Sequence, residues 1–116
     1  VGADPVGSIL GGGAKVEPYL IEGIGYDFIP DVLDNDLVDE YIKTNDEESF
    51  LMARRLIKEE GLLCGGSSGS AMVAALQTAI ALDKGEKCLV LLPDSIRNYM
   101  SKFPNDDWMK KNGFKI

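Results

Sequence analysis

The chain has 116 residues, 45% of them hydrophobic, with 12 Lys and Arg against 19 Asp and Glu, no histidine, and a formal net charge of −7. That length holds one domain with a modest core, and the composition is that of a globular chain. The negative charge argues against a nucleic-acid partner, whose phosphates are met by clustered Lys and Arg. The missing histidine removes Ser–His and Cys–His nucleophile pairs, His-ligated zinc and the usual base near neutral pH. Carboxylates, Lys, Tyr or a cofactor are left to carry any chemistry. No metal site is expected. No apolar run reaches the ~20 residues of a membrane-spanning helix and no signal-like start is visible, so no membrane partner is expected and the expected location is the cytoplasm.

In chain order, Val1–Ala3 reads as the tail of a strand, closed by the turn composition "DPVGS". "GGGAKVEP" (11–18) reads as a flexible connector. "YLIEGIGYDFIP" reads as a strand ending at Gly23, because Gly23 and Gly25 imply a bend or a close backbone approach. Residues 31–48 hold eight carboxylates and one Lys, and the simplest reading is a solvated face with a short helix near Leu37 capped by Asp36. "NDEE" then opens a helix over Asn45–Glu60, its carboxylates at the positive end of the dipole. Phe50, Ala53, Leu56 and Ile57 form the apolar face, Arg54, Arg55 and Lys58 lie largely outside, and Gly61 stands where a C-terminal glycine stops a helix.

"LLCGG" reads as a short buried strand. From Ser68 a second helix is expected, with Met72, Leu76 and Ile80 in register and Ala71, Ala74 and Ala75 allowing close packing. "CLVLLP" has the continuous apolar character of a parallel strand covered on both faces. The remainder is a polar loop and a final short helix anchored by Trp108 and Met109. Cys64 and Cys88 both sit in apolar runs and read as buried structural thiols. The alternation of strands and helices implies an α/β fold, a three-layer α-β-α arrangement with a mostly parallel sheet, as a single domain over residues 1–116.

Ligands of open parallel sheets bind beyond the carboxyl ends of the strands. Three segments leave strands at that edge: "GIGYDF", "GGSSGS" and "PDSIRNY". Gly65 and Gly66 remove side chains where a flat ligand can approach, and Ser67 and Ser68 offer hydroxyls at a helix start, where free N–H groups also favour anions. Neither a Walker A loop nor GxGxxG is present. From these residues alone a serine cap after a tight turn remains the favoured reading, with an anion cradle and a cofactor grip as alternatives. Arg97 reads as a loop arginine rather than a carboxylate clamp.

"EGLLCGGSSGS", "YLIEGIGYDFIP" and "LPDSIRNYMSKF", in that wording and over nearly the whole chain, resemble the cystathionine β-synthases. These are pyridoxal-phosphate enzymes of the tryptophan-synthase-β group, fold type II. Cysteine synthases share the "GIG" and "SSG" frame but usually carry Ala-Gly where this chain has Tyr26–Asp27. The resemblance implies pyridoxal 5'-phosphate as cofactor and a β-replacement in which serine and homocysteine give cystathionine and water. It implies that Ser67 hydrogen-bonds the pyridine nitrogen, with Gly65, Gly66, Gly23 and Pro93 around the cofactor. It also implies Gly25, Tyr26, Asp27, Glu22 and Lys102 on the side of the amino-acid substrates.

The family's Schiff-base lysine and phosphate-binding loop match nothing in these residues, and neither does its haem-binding segment. The stretch is therefore expected to be part of a larger catalytic core, inactive by itself, with an upstream half and a second copy as partners. Haem is expected only through a segment absent here. Two competing readings remain: a cysteine-synthase-like enzyme, and a non-catalytic anion- or cofactor-binding α/β fragment.

Overall fold

The computed structural model describes residues 1–13 and 15–116. Gly2–Pro5 (β1) and Tyr41–Thr44 (β2) pair in parallel, with Gly2 beside Tyr41 and Pro5 beside Thr44. A buried charge pair ties the two strands to the glycine-rich loop that follows β1. Asp4, 1% exposed, accepts from Lys43 Nζ at 2.6 Å and from the Gly11 amide at 2.8 Å, while Lys43 also donates to Ser8 O at 2.8 Å. Gly11, and Gly12 through its amide bond to Ile9 O at 3.2 Å, are thus anchored; Ala14, also part of the expected connector, lies outside the described residues.

The first long helix, Asp46–Glu60 (α1), starts where its sequence directs. Asn45 Oδ1 accepts from the Glu48 amide, and the Glu48 carboxylate accepts from the Asn45 amide, a reciprocal capping box. Gly61, at φ 69°, ends the helix in the left-handed region that disfavours a side chain. Phe50, Ala53 and Leu56 are buried as their spacing requires. Arg54 is half-buried rather than outside: it donates to Phe103 O at 3.1 Å and forms an ion pair with Asp106.

The second helix, Gly66–Ala79 (α2), buries a different face from the expected one. Gly66, Gly69, Ser70, Val73 and Ala74 are buried, whereas Leu76 and Ile80 are exposed. The reason is the closeness of α1. A Cβ on Gly69 would overlap Ser49 O and stand 2.8 Å from the Ala53 amide nitrogen, and Ser70 Oγ donates to Ser49 Oγ at 2.8 Å. Only small residues fit that seam.

The main core lies between α1 and the C-terminal segment, which ends in the short helix Asp106–Lys111 (α3), capped by Asn105. Phe50 stacks on Phe103 at 5.5 Å and meets the Trp108 edge at 5.3 Å; Phe103 and Met109 are fully buried. Such aromatic pairs add to the area they bury.

The α/β class with a parallel sheet holds, and three of the expected strand assignments change. Residues 19–23 form no strand, because the Leu20 and Ile21 amides donate to the two Asp46 oxygens at 2.7 and 3.0 Å. Those donors are unavailable to a ladder, and they tie the glycine loop to the start of α1. "LLCGG" contributes one antiparallel bridge, Cys64 with Ser95, and leaves Leu63 62% exposed. "CLVLLP" joins no ladder among the described residues, and its Leu89 is 92% exposed. Cys88 is correspondingly exposed, while Cys64 is buried as expected. The strand β2, within the acidic stretch, was hidden from periodicity by its shortness.

Candidate functional site

The Gly65–Ser68 corner is placed by the segment that crosses it. Gly65 N donates to Asp94 O at 3.1 Å, Ile96 N donates to Leu63 O at 2.9 Å, and Cys64 bridges to Ser95. These bonds bring "PDSIRNY" against "LLCGGSS". Ser67, the second residue of α2 and 3% exposed, then lines a cavity of about 470 Å³ together with Pro93. Ala71 and Ala74 of α2, Ala3 of β1, Ile24 and the extended residues 87–91 line it as well. The helix begins without a side-chain cap, so the serine-cap reading of this corner does not hold.

The glycine loop reaches the cavity through the Ile24 side chain. Gly25, at φ 73°, packs so closely that a Cβ would stand 2.6 Å from Pro5 Cγ and 2.7 Å from the Tyr19 hydroxyl. That hydroxyl donates to Ile24 O at 3.2 Å, and burial pushes the Tyr19 phenol up, which keeps it a neutral donor. Ser8 Oγ completes the grip, accepting from Tyr26 N at 3.1 Å and donating to Tyr26 O at 3.3 Å. The Tyr26 ring is half-exposed against Phe28 at 5.1 Å, and Asp27 is exposed beside it. Gly23 has open space where a Cβ would stand.

Glu22 and Lys102 meet in an ion pair on the surface, beside a small depression lined by Gly66, Tyr99 and Phe103. The sequence-derived residues thus divide into two groups. Ser67 and Pro93 share the large cavity; Glu22 and Lys102 pair with each other outside it. Gly65 and Gly66 stand between the two groups, and the packing accounts for both. A Cβ on Gly65 would overlap the Asp94 carboxylate, and one on Gly66 would stand 2.9 Å from the Phe50 ring.

Asp94 and Tyr99 are absent from the sequence-derived set. Tyr99, 8% exposed, donates to Asp94 Oδ2 at 2.5 Å, and this bond to the carboxylate pushes its phenol up to about 12. The only signal for the pair lay in the motif "PDSIRNY", where the sequence reading singled out Arg97 instead. The Arg97 amide donates to Ser95 Oγ, and the residue is exposed. Burial pushes the Cys64 thiol up, consistent with an inert core residue. Among the described residues no cluster of Cys, Asp and Glu is arranged to hold a metal ion, and no helix is long and apolar enough to cross a membrane.

The family model described as "Pyridoxal-phosphate dependent enzyme" matches residues 1–94. Cystathionine beta-synthase of Dictyostelium discoideum is 66% identical over 98% of this chain and 24% of its own length. Among solved structures, an O-acetylserine dependent cystathionine beta-synthase from Helicobacter pylori superposes with a TM-score of 0.77 at 46% identity, covering 85% of this chain and 32% of that one. A cysteine synthase from Entamoeba histolytica superposes with a TM-score of 0.79 at 36% identity, covering 92% and 31%. The chain spans about a quarter of the length of the curated relative.

Proposed function

Because the chain belongs to the family of pyridoxal-phosphate dependent enzymes, we propose that it forms part of the catalytic core of a β-replacement enzyme that joins serine to homocysteine, giving cystathionine and water. The observation that carries this reading is the buried Ser67 hydroxyl, which lines one apolar cavity together with Pro93. The cavity suits a flat heteroaromatic ring: no carboxylate lines it, its walls are mostly aliphatic, and its polar lining is Ser67 at the start of α2 with Thr78 and Lys87.

Pyridoxal phosphate supplies, when bound, the electron sink through which an amino acid loses its β-substituent. Ser67 is the residue that would hold its ring nitrogen. A neutral hydroxyl, unlike a carboxylate, does not keep that nitrogen protonated, which tempers the electron sink and favours loss of the substituent over side reactions. Pro93 and Ile24 line the same cavity and would offer it apolar contact. Gly65, Gly66 and Gly23 belong to the cofactor's surroundings in this reading, the first two by letting Asp94 and Phe50 fix the corner. Gly25, Tyr26 and Asp27 present the substrate-side loop, and the Glu22–Lys102 pair pins that loop to the segment after Tyr99.

Serine and homocysteine are the proposed substrates. The proposed partners are an upstream half that carries the Schiff-base lysine and a second copy of the enzyme, in the cytoplasm. A cysteine-synthase-like activity is the second reading, favoured by the superposition on the Entamoeba enzyme. Tyr26–Asp27, in place of the Ala-Gly usual in those enzymes, favours cystathionine formation. Homocysteine turnover by the intact enzyme, set against sulfide turnover with O-acetylserine, separates the two.

In the intact enzyme, Ser67→Asp is expected to lower β-replacement by roughly a hundredfold, the scale of one misplaced contact to developing charge. Altered cofactor absorbance is expected with it. Turnover and spectrum like those of the unmodified enzyme would overturn the role of Ser67.

A further inference from the structure

The corner that carries Ser67 has no side-chain cap of its own, and its two glycines leave its backbone without side-chain anchors. Its position must therefore come from what packs on it. Two contacts reach Gly65 from Asp94: the Asp94 carbonyl accepts the Gly65 amide at 3.1 Å, and the Asp94 carboxylate fills the space of the missing Cβ. That carboxylate is in turn held by the Tyr99 hydroxyl at 2.5 Å, and the Tyr99 ring stands where a Gly65 Cβ would approach it to 2.8 Å. Tyr99 is itself fixed by the core, with its ring 6.0 Å from the fully buried Phe103. Pro93, which shares the cavity with Ser67, directly precedes Asp94.

We propose that Asp94 and Tyr99 form a latch that positions Ser67: the aromatic core holds Tyr99, Tyr99 orients the Asp94 carboxylate, and Asp94 sets the first turn of α2 and Pro93 at a fixed spacing across the cavity. Neither residue lines that cavity, so both act through Gly65 and are positioning residues. The latch explains two features of the motifs together. Glycine at position 65 is required by Asp94 and Tyr99, and Asp and Tyr five residues apart in "PDSIRNY" are required by the corner. A charge-assisted hydrogen bond is short and directional, which suits it to holding a geometry rather than merely filling space. The inference rests on the cofactor reading above for its consequence, but not for its geometry.

The test uses the intact enzyme and three variants. Tyr99→Phe keeps the ring and removes the hydroxyl; Asp94→Asn keeps an oxygen that accepts from Tyr99; Ser67→Ala removes the positioned group. In the cofactor-free protein, amide hydrogen exchange of residues 64–68 is expected to quicken about tenfold in Tyr99→Phe, with residues 50–57 of α1 unchanged, and to stay near the original rate in Asp94→Asn. In the loaded enzyme, Tyr99→Phe is expected to shift the cofactor absorption band in the same direction as Ser67→Ala, and the double variant to add nothing further.

Unchanged exchange at 64–68 in Tyr99→Phe overturns the latch whatever the cofactor does. A shifted band in Ser67→Ala with none in Tyr99→Phe also overturns it. An unshifted band in Ser67→Ala overturns the cofactor reading instead, and the exchange result then decides the latch alone.

Discussion

The Gly65–Ser70 corner, made only of Gly and Ser, and the apolar 88–92 segment behave oppositely to what their hydrophobicity suggests. At the corner every residue is buried, the glycines are filled by Asp94, Phe50 and Ser49, and Ser70 is hydrogen-bonded to Ser49. In the second segment Leu89 is 92% and Leu91 75% exposed, and no ladder forms among the described residues. What decides burial here is who supplies the partner groups. The corner finds its partners within these residues, on α1 and on residues 94–99. An isolated extended segment needs neighbouring backbone to satisfy its N–H and C=O groups, and hydrophobic side chains alone do not provide that.

The sharpest way to break the corner is to add one carbon at its tightest point. Gly69→Ala places a Cβ against Ser49 O and the Ala53 amide, both backbone groups of α1 that cannot move without displacing the helix. The expected loss is about 3 kcal/mol, the upper end of overpacking effects. Urea unfolding of the intact protein checks it, with a fall in midpoint at unchanged slope. A midpoint like that of the parent would show that α1 yields at the α1–α2 seam.

A smaller effect reports on the Tyr99 phenol at the corner. Tyr99 titrates near 10 when unfolded and is pushed up to about 12 in the fold, first by the hydrogen bond to Asp94, then by burial and by the charges of Asp94 and Glu22. Glu22 is itself paired with Lys102, the cation on that side. A raised folded value means that the stabilisation is complete below pH 10 and is lost as pH rises from 10 through 12. Stability of the parent is therefore expected to fall more steeply above pH 10 than that of Tyr99→Phe, with the two slopes equal below pH 9. Parallel curves throughout would remove the Asp94 bond from the account.

Legibility followed the same division. α1 was readable in its start, apolar face and terminal glycine, which are local, but not in Arg54, whose partners Phe103 and Asp106 are distant in sequence. Of the residues that the three motifs supplied, Ser67 and Pro93 share a cavity. What escaped depended on contacts distant in sequence. The Asp46 carboxylate takes the Leu20 and Ile21 amides that a strand would need, α2 turns its small residues rather than Met72, Leu76 and Ile80 to the core, and Lys43 neutralises a buried Asp4 from a stretch that read as a solvated acidic face. In "PDSIRNY" the conspicuous cation drew attention, while a neutral phenol and an adjacent carboxylate make the contact that matters.

The smallest expected change lies in the exposed segment and sharpens the comparison from its other side. Leu89→Ser with Leu91→Ser removes two side chains that touch little in residues 1–116, so the urea midpoint of this stretch alone is expected to move by less than about 0.5 kcal/mol in equivalent stability, the range of surface substitutions. Its soluble fraction is expected to rise, since an unpaired extended apolar run invites association. In the intact enzyme the same pair of changes is expected to cost several times more, because the proposed upstream half would bring the backbone and side chains that cover the segment. Equal small effects in both settings would mean that nothing covers it, although it lines the same cavity as Ser67.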